Sequence, residues 1–145
     1  MMELLYQADH DPILDVAAEF DGLADNPWFQ LFAVLDVRFP GSRFVHTVRN
    51  RDAWLKSVLG HFGRSRTRIR EWTYGKSSPV GNEDTYLARY DAHNRSVNQH
   101  FVDRPSDLLV LDLEKGDGWP ALCDFLEVRP RVEGAFLHLN SRSRR

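Results

Sequence analysis

The fold of this chain is decided by residues 39–57, FPGSRFVHTVRNRDAWLKS. The early Pro-Gly pair predicts a turn, and the residues that follow predict a short buried strand over residues 43–48. Arg49 stands at the end of this strand. Asn50 is a typical N-cap for the next helix, which carries Ser57 eight residues after the arginine. An arginine beside the positive end of a helix offers several donors to one anion, so this stretch predicts a phosphate-binding corner.

The rest of the chain alternates helical and strand patterns. A near-continuous apolar run at residues 107–113 predicts a strand buried on both faces, and a brief buried strand is also predicted near Leu23. Strands separated by helices predict an α/β layer fold with a parallel sheet, in a single domain over residues 1–145. Besides the helix that carries Ser57, the predicted helices cover residues 11–20, 28–39, 83–102 and 116–126.

Composition indicates an ordered globular protein. Hydrophobic residues make up 42% and charged residues 28% of the 145 residues. No apolar run approaches the roughly 20 residues needed to span a bilayer, and the first residues lack the basic and apolar regions of a signal peptide. Cys123 is the only cysteine, which predicts a small core residue in a reducing compartment. We therefore expect a cytoplasmic protein with no membrane partner.

Charge is unevenly distributed, although the net charge is only −2. Residues 1–37 hold eight acidic residues and no lysine or arginine, whereas residues 38–70 hold nine basic residues and one acidic residue. Such a basic block suggests an anionic partner. A phosphorylated nucleotide, an acidic substrate and nucleic acid all fit this description. A solvated face balanced by the acidic start of the chain is the alternative. The corner favours a nucleotide over nucleic acid, whose binding would depend steeply on salt.

An ordered set of short motifs extends well beyond the corner. The set covers roughly residues 20–140 and strongly resembles one branch of the sulfotransferase family, whose donor is 3′-phosphoadenosine 5′-phosphosulfate (PAPS). The order of the motifs is more specific than any one of them. They are DNP from Asp25, FPGSRF from Phe39, TVR ending at Arg49, WLKS ending at Ser57, YDAHN from Tyr90, LLVLDL from Leu108, GDGW from Gly116, LCDFL from Leu122 and FLHLN from Phe136.

The resemblance implies roles for three residues. Arg49 and Ser57 hold the 3′-phosphate of PAPS, and Asp25 is the catalytic base that takes the proton of a hydroxyl or amine acceptor. An alternative role for Asp25 is to cap the helix that begins near Pro27. The resemblance also implies a three-layer parallel sheet flanked by helices, similar to that of P-loop nucleotide hydrolases. The motifs carry no information about which acceptor is used.

The glycine-rich loop that holds the 5′-phosphosulfate in the family has no counterpart before the corner. Residues 1–20 contain no glycine, lysine or arginine. We therefore expect an N-terminally truncated form of the fold, which keeps the 3′-phosphate half of the site and is weakly active or inactive as this chain alone. Unpaired inner strands would need covering, so we also expect a homo-oligomer. The alternative is a catalytically inactive nucleotide-binding or protein-interaction module derived from the same fold.

The six histidines form no cluster with the spacing of a metal site, so no metal is expected. His93 and His100 lie seven residues apart on the longest predicted helix but lack neighbouring ligands. His46 is predicted to be a satisfied core or interface residue of its strand. Trp54 is predicted to pack in the core with Val58, four residues further along the same helix. The alternative is that its large ring stacks on a base or ring of a ligand.

Overall fold

A computed structural model describes residues 11–112, 114–116 and 118–129. The described chain contains six α-helices, two short 3₁₀ turns and two strands. They are α1 (Asp11–Ala17), a 3₁₀ turn (Trp28–Gln30), α2 (Phe32–Arg38), β1 (Phe44–Val48), α3 (Arg51–Phe62), α4 (Arg68–Tyr74), α5 (Glu83–His100), a second 3₁₀ turn (Pro105–Asp107), β2 (Leu108–Asp112) and α6 (Trp119–Leu126). None of the helices described here has the length and apolar composition needed to cross a membrane.

The two strands β1 and β2 form a parallel sheet. Their register runs from Phe44 opposite Leu108 to Val48 opposite Asp112. Helices α3, α4 and α5 supply the long connection that parallel strands require. Both strands end at the same edge of the sheet, so the loops after Val48 and Asp112 lie side by side. The prediction of an α/β fold with a parallel sheet is confirmed.

The prediction of a strand near Leu23 is wrong. Residues 22–24 have no regular structure, and Asp25 has a left-handed backbone with a φ of 60°. An extended strand requires a negative φ, so the chain turns at this point instead of pairing with the sheet. Leu23 packs against the buried cluster of α1 and α2. Within the described residues, the sheet therefore has two strands.

Helix boundaries differ from the predictions where the backbone leaves the helical range. α1 ends at Ala17, and the helix predicted over residues 28–39 is divided at Leu31, whose φ and ψ are −94° and 9°. The segment after α3 contains a helix that was not predicted. This helix, α4, follows the N-cap Thr67 and ends at Gly75, which adopts the left-handed conformation common after helix C-termini.

Two packed groups of side chains join the helices to one another. In one group, Tyr86 of α5 is fully buried and stacks on Tyr74, with ring centroids 4.2 Å apart. The Tyr86 hydroxyl donates a hydrogen bond to the Lys76 carbonyl at 2.8 Å. Cys123 of α6 is buried, as predicted. The other group joins α1 to α2 and consists of Ile13, Leu14, Ala17, Leu31 and Leu35.

Candidate functional site

The end of β1 places Arg49 directly before the N-terminus of α3. The Asn50 side chain caps this 12-residue helix by accepting hydrogen bonds from the backbone NH groups of Asp52 and Ala53, at 3.0 and 3.1 Å. The predicted N-cap is therefore confirmed. The corner combines an arginine side chain with the positive end of a helix, a pair of features that attracts anions.

Tyr90 of α5 fixes the backbone of Arg49. The Tyr90 hydroxyl accepts a hydrogen bond from the Arg49 NH at 3.3 Å and donates one to the Arg49 carbonyl at 2.8 Å. The Tyr90 ring stacks on Trp54 of α3, with ring centroids 4.4 Å apart and an interplanar angle of 22°. One tyrosine thus positions both the strand end and the following helix. Tyr90 was not predicted to be a site residue, although it belongs to the YDAHN motif.

A carboxylate of the chain itself lies in the corner. The Arg49 Nε donates to Glu114 Oε1 at 2.9 Å, and the Asn50 backbone NH donates to Glu114 Oε2 at 3.0 Å. The Arg49 guanidinium and then the Asn50 NH hold the pKa of Glu114 below its usual range. The Glu114 carboxylate is therefore ionised at neutral pH. In this structure the donors of the corner hold an oxyanion, and sequence reasoning did not identify Glu114.

Ser57 is exposed on α3 and does not hydrogen-bond to Arg49. Asn50, Ala53 and Ser57 follow the i, i+3, i+7 spacing of one helix face. With a rise of about 1.5 Å per residue, Ser57 lies about 10 Å along the axis from Asn50. The Arg49 side chain is long enough to cover much of this separation. The structure places Ser57 on the helix face that begins at the corner, without direct contact between the two predicted phosphate ligands.

Asp25 lies on the wall of a large cavity. The residue is exposed, and its backbone carbonyl accepts a hydrogen bond from the Phe29 NH at 3.2 Å. The alternative role as a helix cap is wrong, because Pro27 is the N-cap of the following 3₁₀ turn and no side chain caps it. Tyr90 and Trp54 also line the cavity. These two aromatic residues connect the wall that carries Asp25 with the corner.

The cavity has a volume of about 960 Å³ and follows β1 along residues 42–47. This volume lies at the upper end of the range of roughly 300–1,000 Å³ that is usual for small-molecule sites. Besides Asp25, its polar lining includes Arg89, His46, His93 and Asn94. Aromatic side chains dominate the remaining wall. They include Phe20, Trp28, Phe29, Phe32, Phe39, Trp54, Tyr74, Tyr90 and Phe101. Trp54, predicted to be a core residue, therefore lies at the cavity surface.

Two histidine rings make an edge-to-face contact in the cavity wall. The rings of His46 and His93 lie 5.5 Å apart between centroids. Burial lowers the pKa of His46 against an opposing contribution from Asn94, and burial together with the charges of His46 and Arg89 lowers the pKa of His93 to about 4. His46 is only 9% exposed, as predicted, but it is not satisfied. Its Nε2 and the Asn94 Oδ1 have no partner of standard hydrogen-bond geometry among the described residues.

The chain contains one Gly-Lys-Ser triplet, at residues 75–77, of the kind that ends a nucleotide-binding phosphate loop. The structure places it after the C-terminus of α4. The Lys76 carbonyl accepts a hydrogen bond from Tyr86, and the Ser77 carbonyl accepts one from Arg70. A phosphate loop instead connects a strand to a helix N-terminus, so this triplet is a helix-ending turn. In the part of the chain that the structure describes, no group of three or more His, Cys, Asp or Glu residues could hold a metal ion.

The basic block of residues 38–70 does not form one uniform surface. Arg70 is buried and donates to two backbone carbonyls, at 2.7 and 3.2 Å. Arg51 pairs with Asp91 at 3.0 Å. Arg64 and Arg66 remain exposed in the loop after α3. Part of the block therefore serves internal contacts.

Comparison with known proteins identifies one family. A family model described as a sulfotransferase domain matches residues 5–81 and residues 59–144. No curated protein and no solved structure gave a significant match. The two matched segments overlap and together cover nearly the whole chain. The chain therefore belongs to the sulfotransferase domain family, as the motifs predicted.

Proposed function

We propose that this sulfotransferase-family chain binds PAPS, with Arg49 and Ser57 on the 3′-phosphate, and supports transfer of the sulfuryl group to a hydroxyl or amine acceptor. The proposal rests on one observation, which is that the corner binds the carboxylate of Glu114. The Arg49 Nε and the Asn50 NH already bind a carboxylate at 2.9 and 3.0 Å. A phosphate oxygen requires the same kind of charged and backbone donors, at the same distances.

The acceptor is assigned to the cavity, with Asp25 as general base. Aromatic walls suit the apolar part of an acceptor, and Asp25 presents a carboxylate at the wall. In the reaction, the acceptor oxygen or nitrogen bonds to the sulfur while the bond from sulfur to the 5′-phosphate oxygen breaks. Asp25 takes the proton of the acceptor, and 3′-phosphoadenosine 5′-phosphate (PAP) leaves. The reaction as proposed requires no metal ion.

The finer features of the fold belong to the same proposal. β1, β2 and the helices between them are consistent with part of a three-layer, P-loop-like sheet. The single buried Cys123 is consistent with a reducing, cytoplasmic setting. Within the described residues β1 pairs with β2 alone, and its residues line the cavity. We therefore also propose self-association, which light scattering over a range of concentrations tests. A monomer at every concentration would contradict it.

Calorimetric titration with PAP tests the nucleotide site. Arg49→Ala should weaken PAP binding roughly tenfold or more, because a charge-assisted contact with the phosphate is lost. Arg51→Ala is the matched control, since Arg51 is the next arginine in the chain and pairs with Asp91. The control should bind PAP nearly as the unmodified chain does. Equal PAP affinities of the unmodified and Arg49→Ala chains would overturn the assignment.

Transfer of labelled sulfate from PAPS to a phenol probe, 2-naphthol, tests catalysis. Asp25→Asn should reduce the rate roughly 10²- to 10⁴-fold and leave the PAP affinity unchanged, because only the proton acceptor is removed. A second candidate is a catalytically inactive nucleotide-binding module. The carboxylate of Glu114 in the corner favours this candidate, since it occupies donors that the nucleotide needs. PAP binding without any transfer would support it.

A further inference from the structure

Glu114 accepts hydrogen bonds from two donors of the corner at once. Its two carboxylate oxygens accept separate hydrogen bonds, one from the Arg49 Nε and one from the Asn50 NH. The position of Glu114 is fixed by the turn after β2, in which its own backbone NH donates to Asp112 Oδ1 at 3.1 Å. The turn is closed by a hydrogen bond from the Lys115 NH to the Asp112 carbonyl at 3.1 Å. The contact therefore arises from the strand register and the turn together.

We propose that Glu114 is a built-in competitor for the 3′-phosphate, and that it lowers both the affinity of the corner for 3′-phosphorylated nucleotides and its preference for them over nucleotides without that phosphate. This inference rests on the proposed function of Arg49. A nucleotide must displace the carboxylate before its own phosphate reaches the same donors. The chain therefore binds PAP more weakly than the donors alone would allow.

The exposure of the pair makes this displacement feasible. The side chains of Arg49 and Glu114 are 43% and 39% exposed, so the carboxylate can rotate into water when a phosphate arrives. A phosphate monoester carries a larger negative charge than a carboxylate and has three acceptor oxygens. The ligand can thus replace both hydrogen bonds of Glu114 and add further contacts. A ligand without a phosphate at this position gains nothing from displacing it.

Selectivity provides the sharpest test. PAP and 5′-AMP differ by the 3′-phosphate alone, and calorimetry with both ligands should be performed on the unmodified chain and on Glu114→Gln and Glu114→Ala. We expect PAP affinity to rise roughly tenfold in Glu114→Ala and somewhat less in Glu114→Gln, which retains one acceptor oxygen. The affinity for 5′-AMP should stay unchanged. Glu127→Gln is the matched control, because Glu127 pairs with Arg43 away from the corner.

The outcomes separate this inference from the proposed function. PAP binding that is unchanged or weakened in both Glu114 variants would overturn the inference, since Glu114 would then support the corner instead of competing for it. Titration with inorganic sulfate, followed by the NMR signals of the Arg49 Nε–H and the Asn50 NH, provides a second readout. If Glu114→Ala binds sulfate more tightly than the unmodified chain but neither binds PAP, the competition stands and the nucleotide assignment fails. If neither chain binds either anion, both ideas fail.

Discussion

Replacing Tyr90 by phenylalanine tests whether α5 positions the corner. The substitution removes one oxygen and keeps the ring that stacks on Trp54. It deletes the 2.8 Å hydrogen bond to the Arg49 carbonyl and the 3.3 Å hydrogen bond from the Arg49 NH. A typical hydrogen bond contributes about 0.5–1.5 kcal/mol to folding stability, and the 3.3 Å contact lies at the weak end of the geometric range. Because the freed groups can bind water, we expect a loss of about 1 kcal/mol in the free energy of unfolding.

The same substitution should weaken PAP binding roughly threefold to tenfold, because the backbone that carries the guanidinium is less restrained. Urea denaturation measures the first effect and calorimetric titration the second. Tyr86→Phe is the control on the same helix, since the Tyr86 hydroxyl donates to the Lys76 carbonyl at 2.8 Å, away from Arg49. The control should lose about 1–3 kcal/mol of stability and no PAP affinity. An unchanged PAP affinity in Tyr90→Phe, or an equal loss in Tyr86→Phe, would refute the positioning role.

Three further predictions concern the site and its surroundings. Ser57→Ala should weaken PAP binding roughly threefold to tenfold in calorimetry and leave 5′-AMP binding unchanged, because 5′-AMP has no 3′-phosphate for the hydroxyl. The pKa of about 4 for His93 means that the unfolded chain takes up the proton first as the pH falls from 6.5. Stability should therefore drop by about 2 kcal/mol between pH 7 and pH 4.5 in urea denaturation, and His93→Phe should reduce that drop. Asp36→Ala should lower the thermal midpoint by roughly 5 °C in calorimetric scans, because His100 and Arg104 share this carboxylate.

Features that depend on near neighbours in the chain could be predicted from the sequence. The strand before Arg49 and the cap at Asn50 each rest on a few adjacent residues, and the structure forms both. The prediction of a strand near Leu23 is wrong because the apolar residues there suggested burial but did not indicate the left-handed backbone at Asp25. The helix after Thr67 was missed because polar residues dominate the segment.

The partners of the site residues are long-range, and the sequence alone did not reveal them. Tyr90 is 41 positions from Arg49 in the chain, and Glu114 is 65 positions away. The predicted strands nevertheless contained information about the position of Glu114. Because β1 and β2 were both predicted as strands of one parallel sheet, the residues after their ends had to meet at one edge. Treating the two strands as adjacent would have placed an acidic loop beside the arginine.

This proximity changes how an inactive or weakly binding chain should be interpreted. A sulfotransferase domain that binds no nucleotide could have lost the hydrogen-bond donors of its phosphate site, or one of its own side chains could cover these donors. Arg49 and the Asn50 NH keep the geometry of an anion site, and the covering group is one exposed carboxylate. Weak PAP binding by the unmodified chain would therefore not by itself mark the site as degenerate. Removing the Glu114 side chain distinguishes the two cases. If Glu114 only blocks the corner, the variant binds PAP. If the corner has lost its binding function, the variant does not bind PAP.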